Sequence, residues 1–188
     1  MSSKKHLLAK KILFSNRDIE EGTRKLASVI NQDYSNLKED VVLVGVLKGA
    51  IPFFSLLLKY IDFECIIDFC KVESFNGQAK ATGKPILKTD IESDISGKHV
   101  IVIEDIVDAG YTLEFLISHF KDLGAKTIKT AALLNKLETR KVNIDPDYHV
   151  FDVESHFLIG FGLDYKEKLR NLDYIAICDV DKLKIWDK

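Results

Sequence analysis

His99 to Phe120 reads HVIVIEDIVDAGYTLEFLISHF. A run of β-branched residues, Val100 to Ile103, has the character of a buried strand. Leu113, Leu116, Ile117 and Phe120 recur at i, i+3, i+4 and i+7, which predicts a helix stopped near Gly124. Between them stand Glu104, Asp105 and Asp108. In extended backbone, consecutive Glu104 and Asp105 point to opposite faces. Carboxylates crowded in this way are costly unless a cation or a hydroxyl-rich ligand meets them. The following Asp108-Ala109-Gly110-Tyr111-Thr112 offers a glycine free to take positive φ, a backbone nest and a helix N-terminus, all suited to phosphate. One loop thus carries acids for a metal-bound sugar and then a phosphate cradle. The plain alternative is a set of solvated loop acids facing a helix dipole.

Working outward, VVLVGVL (41–47) is the continuous apolar run of a parallel strand covered on both faces. KGA follows, and Pro52 stands at a helix N1 position. Asp18 to Ile30 reads as a helix with Ile19, Leu26 and Ile30 on one stripe. Strands are expected at 63–72, 99–103, 127–135, 148–153 and 174–180. The polar 73–85 segment, with two glycines and no periodicity, is a loop of the length that is usually functional or disordered. Alternation of strand and helix predicts an α/β fold with a mainly parallel sheet. Ligands in such folds bind beyond the carboxyl ends of the strands. The suspect loops are therefore 48–50 and 104–112. The C-terminal third is strand-rich and suggests a smaller lobe.

The bulk numbers set limits. A chain of 188 residues fits one domain, and 46% hydrophobic with 30% charged residues is ordinary for a globular protein. A net charge of -2 argues against a dominant nucleic-acid or membrane surface. Cys65, Cys70 and Cys178 lack metal-ligand spacing and read as buried reduced thiols. No apolar run is long enough to span a bilayer, and the basic MSSKKHLLAKKILF start lacks an uninterrupted h-region. A cytoplasmic location is expected. GQAKATGKP does not have Walker A spacing, GFG (160–162) lacks a third glycine, and there is no G-x-S-x-G elbow. The five histidines show no ligand spacing.

VIVIEDIVDAGYTL resembles the phosphoribosyl-pyrophosphate (PRPP) motif of type I phosphoribosyltransferases. VGVLKGA, the loop beginning ESF, LLNK and FLIGFGLDYKEKLRNL extend the resemblance from about Val41 to Cys178, to the hypoxanthine-guanine branch of that family. It implies one phosphoribosyltransferase domain over 1–188, with a core at about 35–150. Residues of about 151–180 and the N-terminal segment would form a purine-binding hood.

The resemblance also implies residue roles. Glu104 and Asp105 would hold the ribose hydroxyls, partly through Mg²⁺, and Asp164 a second Mg²⁺. Asp108 would exchange the proton at purine N7, as the catalytic residue. Ala109, Gly110, Tyr111 and Thr112 would cradle the 5′-phosphate. Leu47, Lys48, Gly49 and Arg170 would bind pyrophosphate, with Ser74 and Phe75 on a lid. Lys136 would donate to purine O6, Phe157 would stack on the ring and the Leu158 backbone would read its edge. The implied reaction turns PRPP and hypoxanthine or guanine into IMP or GMP, in a homodimer or homotetramer binding neither nucleic acid nor membrane.

Three letters depart from the family pattern. Ala109 stands where Thr or Ser is usual, Phe75 where Tyr is, and His156 where Lys often precedes the Phe. A second reading is a PRPP-sensing regulator of the same fold that binds nucleic acid. Against it stand the acidic net charge, the lack of a helix-turn-helix segment and the purine-type residues Lys136, Phe157 and Asp164. A phospho-receiver domain is discounted, because its acid pair follows the first strand.

Overall fold

The computed structural model describes residues 5–73 and 85–186. The chain enters through a strand, β1 (Ala9–Phe14), and a long helix, α1 (Asn16–Tyr34). Helix α1 extends the expected Asp18–Ile30 span at both ends. Ser15 sets its start through a capping box with Asp18, each satisfying the other's backbone N–H. Next come β2 (Val41–Leu47), α2 (Ile51–Leu58), β3 (Ile66–Glu73) and β4 (Ile86–Thr89). The Asp-rich stretch follows as β5 (His99–Val107) and α3 (Tyr111–Asp122), then β6 (Thr127–Asn135) and a 3-10 turn at Leu137–Thr139. Strands β7 (Tyr148–Asp152), β8 (Leu158–Ile159) and β9 (Ile175–Cys178) and helix α4 (Val180–Trp186) complete the chain.

Six strands form one sheet in the order β4-β3-β2-β5-β6-β7. All neighbours are parallel except β4, which runs antiparallel to β3 on the edge. The chain crosses from β2 outward to β3 and from β5 outward to β6. The strand order therefore reverses between β2 and β5, and a crevice opens beyond their carboxyl ends. The mainly parallel sheet expected from the sequence is present.

Each face of this sheet has its own core. Leu43, Ile101 and Ile103 pack with Phe53, Leu57, Leu26 and Ile30 of α2 and α1. Val42, Val44, Val100 and Val102 pack with Leu113, Leu116 and Phe120 of α3. Burial of both faces is why β2 and the start of β5 read as unbroken apolar runs rather than alternating ones.

The ends of the chain meet in a second sheet, β1-β9-β8, antiparallel throughout. Leu8, Ile159, Tyr174 and Ala176 form its separate core. β1 escapes sequence reading because AKKILF lies mostly at the surface, with only Ala9 buried among its six residues. Among the described residues, no helix is long and apolar enough to cross a membrane.

Candidate active site

The acids Glu104 and Asp105 lie inside β5, which continues to Val107 instead of ending at Ile103. Pairing with β6 carries on past them, with Glu104 opposite Ala132 and Ile106 opposite Leu134. Around them, Ile103 and Ile106 belong to one core and Val102 and Val107 to the other. The Glu104 and Asp105 carboxyls lie close enough in the strand to influence each other's protonation. Burial pushes the Glu104 carboxyl well above its ordinary range, and the neighbouring Asp105 charge adds to the shift. Burial raises Asp105 as well, opposed by its hydrogen bonds and by the Arg170 charge. Asp105 Oδ1 accepts from the Ile106 N–H at 2.9 Å, whereas Glu104 Oε2 is buried without a partner.

An orphaned carboxylate oxygen beside a second acid is a donor set that lacks positive charge. Magnesium, a hard cation that prefers carboxylate oxygen, fits it. The described residues hold no group of three or more His, Cys, Asp and Glu side chains able to cage a metal alone. A magnesium ion here would thus share its coordination with a ligand, as is usual for this ion.

The same electrostatics predicts a stability effect. A carboxyl whose pKa is raised by folding favours the folded state below its unfolded pKa and disfavours it once pH has risen through the folded value. Glu104→Gln should therefore raise the melting temperature of the metal-free protein at pH 7 by about 3 °C, the shift that roughly 1 kcal/mol gives in a chain of this size. The gain should fade as pH falls to about 4, where an unfolded Glu is protonated. Thermal melts at both pH values check this, and a lower melting temperature at pH 7 would contradict it.

The loop after β2 packs against Asp105. The Leu47–Lys48 peptide is cis. A Cβ on Gly49 would stand 1.8 Å from Asp105 Oδ2, so glycine alone fits. On its other side, Gly162 (φ +99°) brings its Cα so close that a Cβ would meet the Gly49 carbonyl oxygen at 2.0 Å. Arg170 Nη1 donates to the Gly162 carbonyl at 2.7 Å, and Nη2 lies 2.8 Å from Asp164 Oδ1. Gly49 against Asp105, Gly162 against Gly49, and Arg170 on Gly162 and Asp164 thus join segments far apart in the chain. Lys48 Nζ reaches Glu167 at 2.8 Å, and this contact, with the Arg170 charge, holds the Glu167 carboxyl below its ordinary range. The i, i+3 spacing of Glu167 and Arg170 is visible in the sequence, but nothing local marks the Glu167 contact with Lys48, made across 119 residues.

Beyond β5 the chain turns at Asp108–Gly110 into α3. Gly110 takes φ +91° at the N-cap, and a Cβ there would meet Val142 Cγ2 at 2.7 Å. The first N–H groups of the helix are free of intrahelical partners, so the turn at Gly110–Thr112 aims donors outward. Lys141 N–H donates to the Ala109 carbonyl at 3.0 Å and ties the turn to the 137–144 segment. Arg140, also missed in the sequence, braces that segment. Its Nη2 donates to Asn135 Oδ1 at 2.5 Å and its Nη1 to the Ile144 carbonyl.

Lys136 leaves the end of β6 and is buried, at 8% exposure. Its Nζ lies 3.3 Å from Asp108 Oδ2, whose side chain is half exposed. Phe157 is 45% exposed, with its ring edge-on to Tyr165, while Leu158 beside it is buried and paired with Ile177. Glu104 to Leu113, Lys136, Phe157, Leu158 and Asp164 line one cavity of about 320 Å³, a volume in the ligand-pocket range. Gly49 and Arg170 adjoin it through Asp105 and Asp164, and Lys48 reaches Arg170's partner Glu167. Ser74 and Phe75 lie outside the described residues, although Glu73 and Ile86 on either side pair with each other.

A parallel sheet with an acid pair and a phosphate-type turn at its switch point is the design of a phosphoribosyltransferase. The family model for the phosphoribosyl transferase domain matches residues 10–166, and the chain belongs to that family of enzymes. Its relatives are more particular. It is 43% identical over 168 residues to the hypoxanthine-guanine phosphoribosyltransferase of Streptococcus pneumoniae, covering 89% of this chain and 92% of that protein. The Streptococcus agalactiae enzyme of the same name matches at 43% with the same coverage. Among solved structures, a hypoxanthine phosphoribosyltransferase from Staphylococcus aureus superposes with a TM-score of 0.89 at 33% identity, covering 97% of this chain and 98% of that one.

Proposed function

We propose that this chain is a purine salvage enzyme that transfers the 5-phosphoribosyl group from PRPP to hypoxanthine or guanine, giving IMP or GMP and pyrophosphate. The carrying observation is the Lys136–Asp108 pair at 3.3 Å, set in the same cavity as the Gly110 turn and exposed Phe157. A buried ammonium and an acid at one edge, with an aromatic face beside them, suit a flat heterocycle that has a carbonyl and an acidic N–H.

In this reading, Lys136 donates to purine O6, Phe157 stacks on the ring and the Leu158 backbone reads its edge. Asp108 takes the proton that the attacking purine nitrogen must lose. Ala109, Gly110, Tyr111 and Thr112 hold the 5′-phosphate with backbone and hydroxyl donors. Glu104 and Asp105 bind the ribose hydroxyls and would hold one Mg²⁺, with Asp164 holding a second. Bound magnesium supplies charge neutralisation at the departing pyrophosphate. Lys48 and Arg170, beside Leu47 and Gly49, receive that pyrophosphate as charge develops on it, which is electrostatic stabilisation of an oxocarbenium-like state. We further propose a cytoplasmic enzyme that assembles as a homodimer or homotetramer.

A spectrophotometric assay with PRPP, Mg²⁺ and hypoxanthine, guanine or xanthine in turn tests the reading. Absence of nucleotide from every base at high PRPP defeats it, and PRPP binding without turnover points to a regulator. One residue sets a quantitative expectation. Ala109 lacks the hydroxyl usual at this position in the family, and a hydrogen bond to a charged group contributes about 1.5–3 kcal/mol. Ala109→Thr should lower the apparent KM for PRPP about tenfold. An unchanged KM would show that backbone donors already saturate the phosphate.

A further inference from the structure

Glu167 has no part in the chemistry just assigned, yet it touches two of the residues that carry it. It lies in the turn after the 160–163 segment, where Lys166, Glu167 and Leu169 have φ of 50°, 64° and 77°. Non-glycine residues seldom occupy this left-handed region, and three within four positions is a costly arrangement. The turn is held by Asp164 Oδ2, which accepts the Glu167 N–H at 2.9 Å, and by reciprocal backbone bonds between Tyr165 and Lys168. This backbone carries the Glu167 carboxylate to two cations. Oε2 stands 2.8 Å from Lys48 Nζ and Oε1 stands 3.4 Å from Arg170 Nη2.

Lys48 and Arg170 are the cations assigned above to pyrophosphate, and the inference rests on that assignment. One carboxylate spans both, an oxygen to each, as two oxygens of a pyrophosphate would. We propose that Glu167 is an intrinsic competitor for the pyrophosphate group. It engages Lys48 and Arg170 in the absence of ligand, yields them when PRPP binds, and reclaims them as pyrophosphate departs.

The contacts have the strengths this exchange needs. Lys48 and Glu167 side chains are 51% and 63% exposed, and ion pairs so exposed are weak and easily swapped. A multiply charged pyrophosphate offers more acceptor oxygens to the guanidinium fork than one carboxylate does. Arg170 also stays in place when Glu167 lets go. Its Nη1 remains on the Gly162 carbonyl and its Nη2 on Asp164. Only Glu167 has to move.

A merely structural Glu167 predicts the opposite sign. If its role were to orient Lys48 and Arg170, removing its charge would loosen both and weaken pyrophosphate binding. A competitor predicts tighter binding.

The test is calorimetric titration of inorganic pyrophosphate with Mg²⁺ into the whole wild-type protein, Glu167→Gln and Glu167→Asn, with KM for PRPP measured in parallel. Gln keeps the length of the side chain, and Asn suits the left-handed backbone at this position. Both variants are expected to bind pyrophosphate about fivefold more tightly and to show a KM for PRPP lowered to a similar degree. The advantage should shrink towards nothing at about 1 M salt, where exposed charges are screened within about 3 Å. Equal or weaker pyrophosphate binding by Glu167→Gln overturns the proposal. So does tightening confined to Glu167→Asn, which would report relief of the backbone. A wild-type protein that neither binds pyrophosphate nor makes nucleotide overturns the underlying site as well. A wild-type protein that does both, with variants that do not tighten, removes the competitor alone.

Discussion

Asp108→Asn is expected to lower kcat for IMP formation by about 10²- to 10⁴-fold, the range that general-base groups contribute, while Kd for PRPP stays within about threefold. The separation follows from where Asp108 sits. It stands just beyond β5, after the acids proposed for the ribose and before the turn proposed for the phosphate. Its partner is Lys136, 3.3 Å away, on the side of the cavity that also holds Phe157. Asparagine keeps the size of the side chain and an oxygen that can accept from Lys136. What it loses is basicity, so the purine proton has nowhere to go. Lys136, 8% exposed, would then face a neutral amide, and a melting temperature a few degrees lower should accompany the kinetic loss. Single-turnover kinetics and calorimetric PRPP binding check the two arms. Equal losses in turnover and in affinity would move Asp108 from proton transfer to substrate anchoring.

Gly49→Ala is the second large effect. The added methyl carbon would fall 1.8 Å from Asp105 Oδ2 and 2.5 Å from its Cγ. Asp105 cannot swing aside freely, since it is buried and its other oxygen accepts the Ile106 N–H. The loop cannot retreat either, because Gly162 closes on the Gly49 carbonyl from the far side. Either the acid pair or the Lys48 loop must shift by an ångström or so, and misplacement on that scale costs about 10²-fold in rate. We expect kcat/KM for PRPP to fall at least about 100-fold, with about 1–3 kcal/mol of destabilisation from overpacking. Gly97→Ala is the control. Its Cβ meets nothing within 4 Å, so only the left-handed backbone (φ +72°) is penalised and activity should be retained. Retained activity in Gly49→Ala would mean that Asp105 tolerates displacement and does not position the ligand.

These two residues differ in how visible they are in the sequence. Asp108 belongs to a contiguous stretch whose apolar run, acids, glycine and helical stripe lie within 22 residues, so its setting is local. Gly49 is recognisable as a loop glycine after a strand, but its contact with Asp105 is made across the β2–β5 boundary. Gly162 and Glu167 are further removed. Each acts on Lys48 or Gly49 through a fold-back of the C-terminal third, which leaves no periodicity or spacing to read. Ala109 is the reverse case: a departure seen only in the sequence, since the turn it occupies closes normally onto Lys141.

By itself, the sequence determined the parallel sheet, through apolar runs that need cover on both faces. It also determined the acid-and-glycine stretch that closes β5 and the helix that follows, because hydrophobic periodicity and turn chemistry are local properties. The tertiary structure decided the rest. It set the burial of Glu104 beside Asp105, the pairing of β1 with β9 in the small sheet, and the meeting of Lys48, Asp164, Glu167 and Arg170. Each of these depends on which surfaces fit when distant segments are brought together, and such fits arise from packing and electrostatics between partners that the order of the residues does not place side by side.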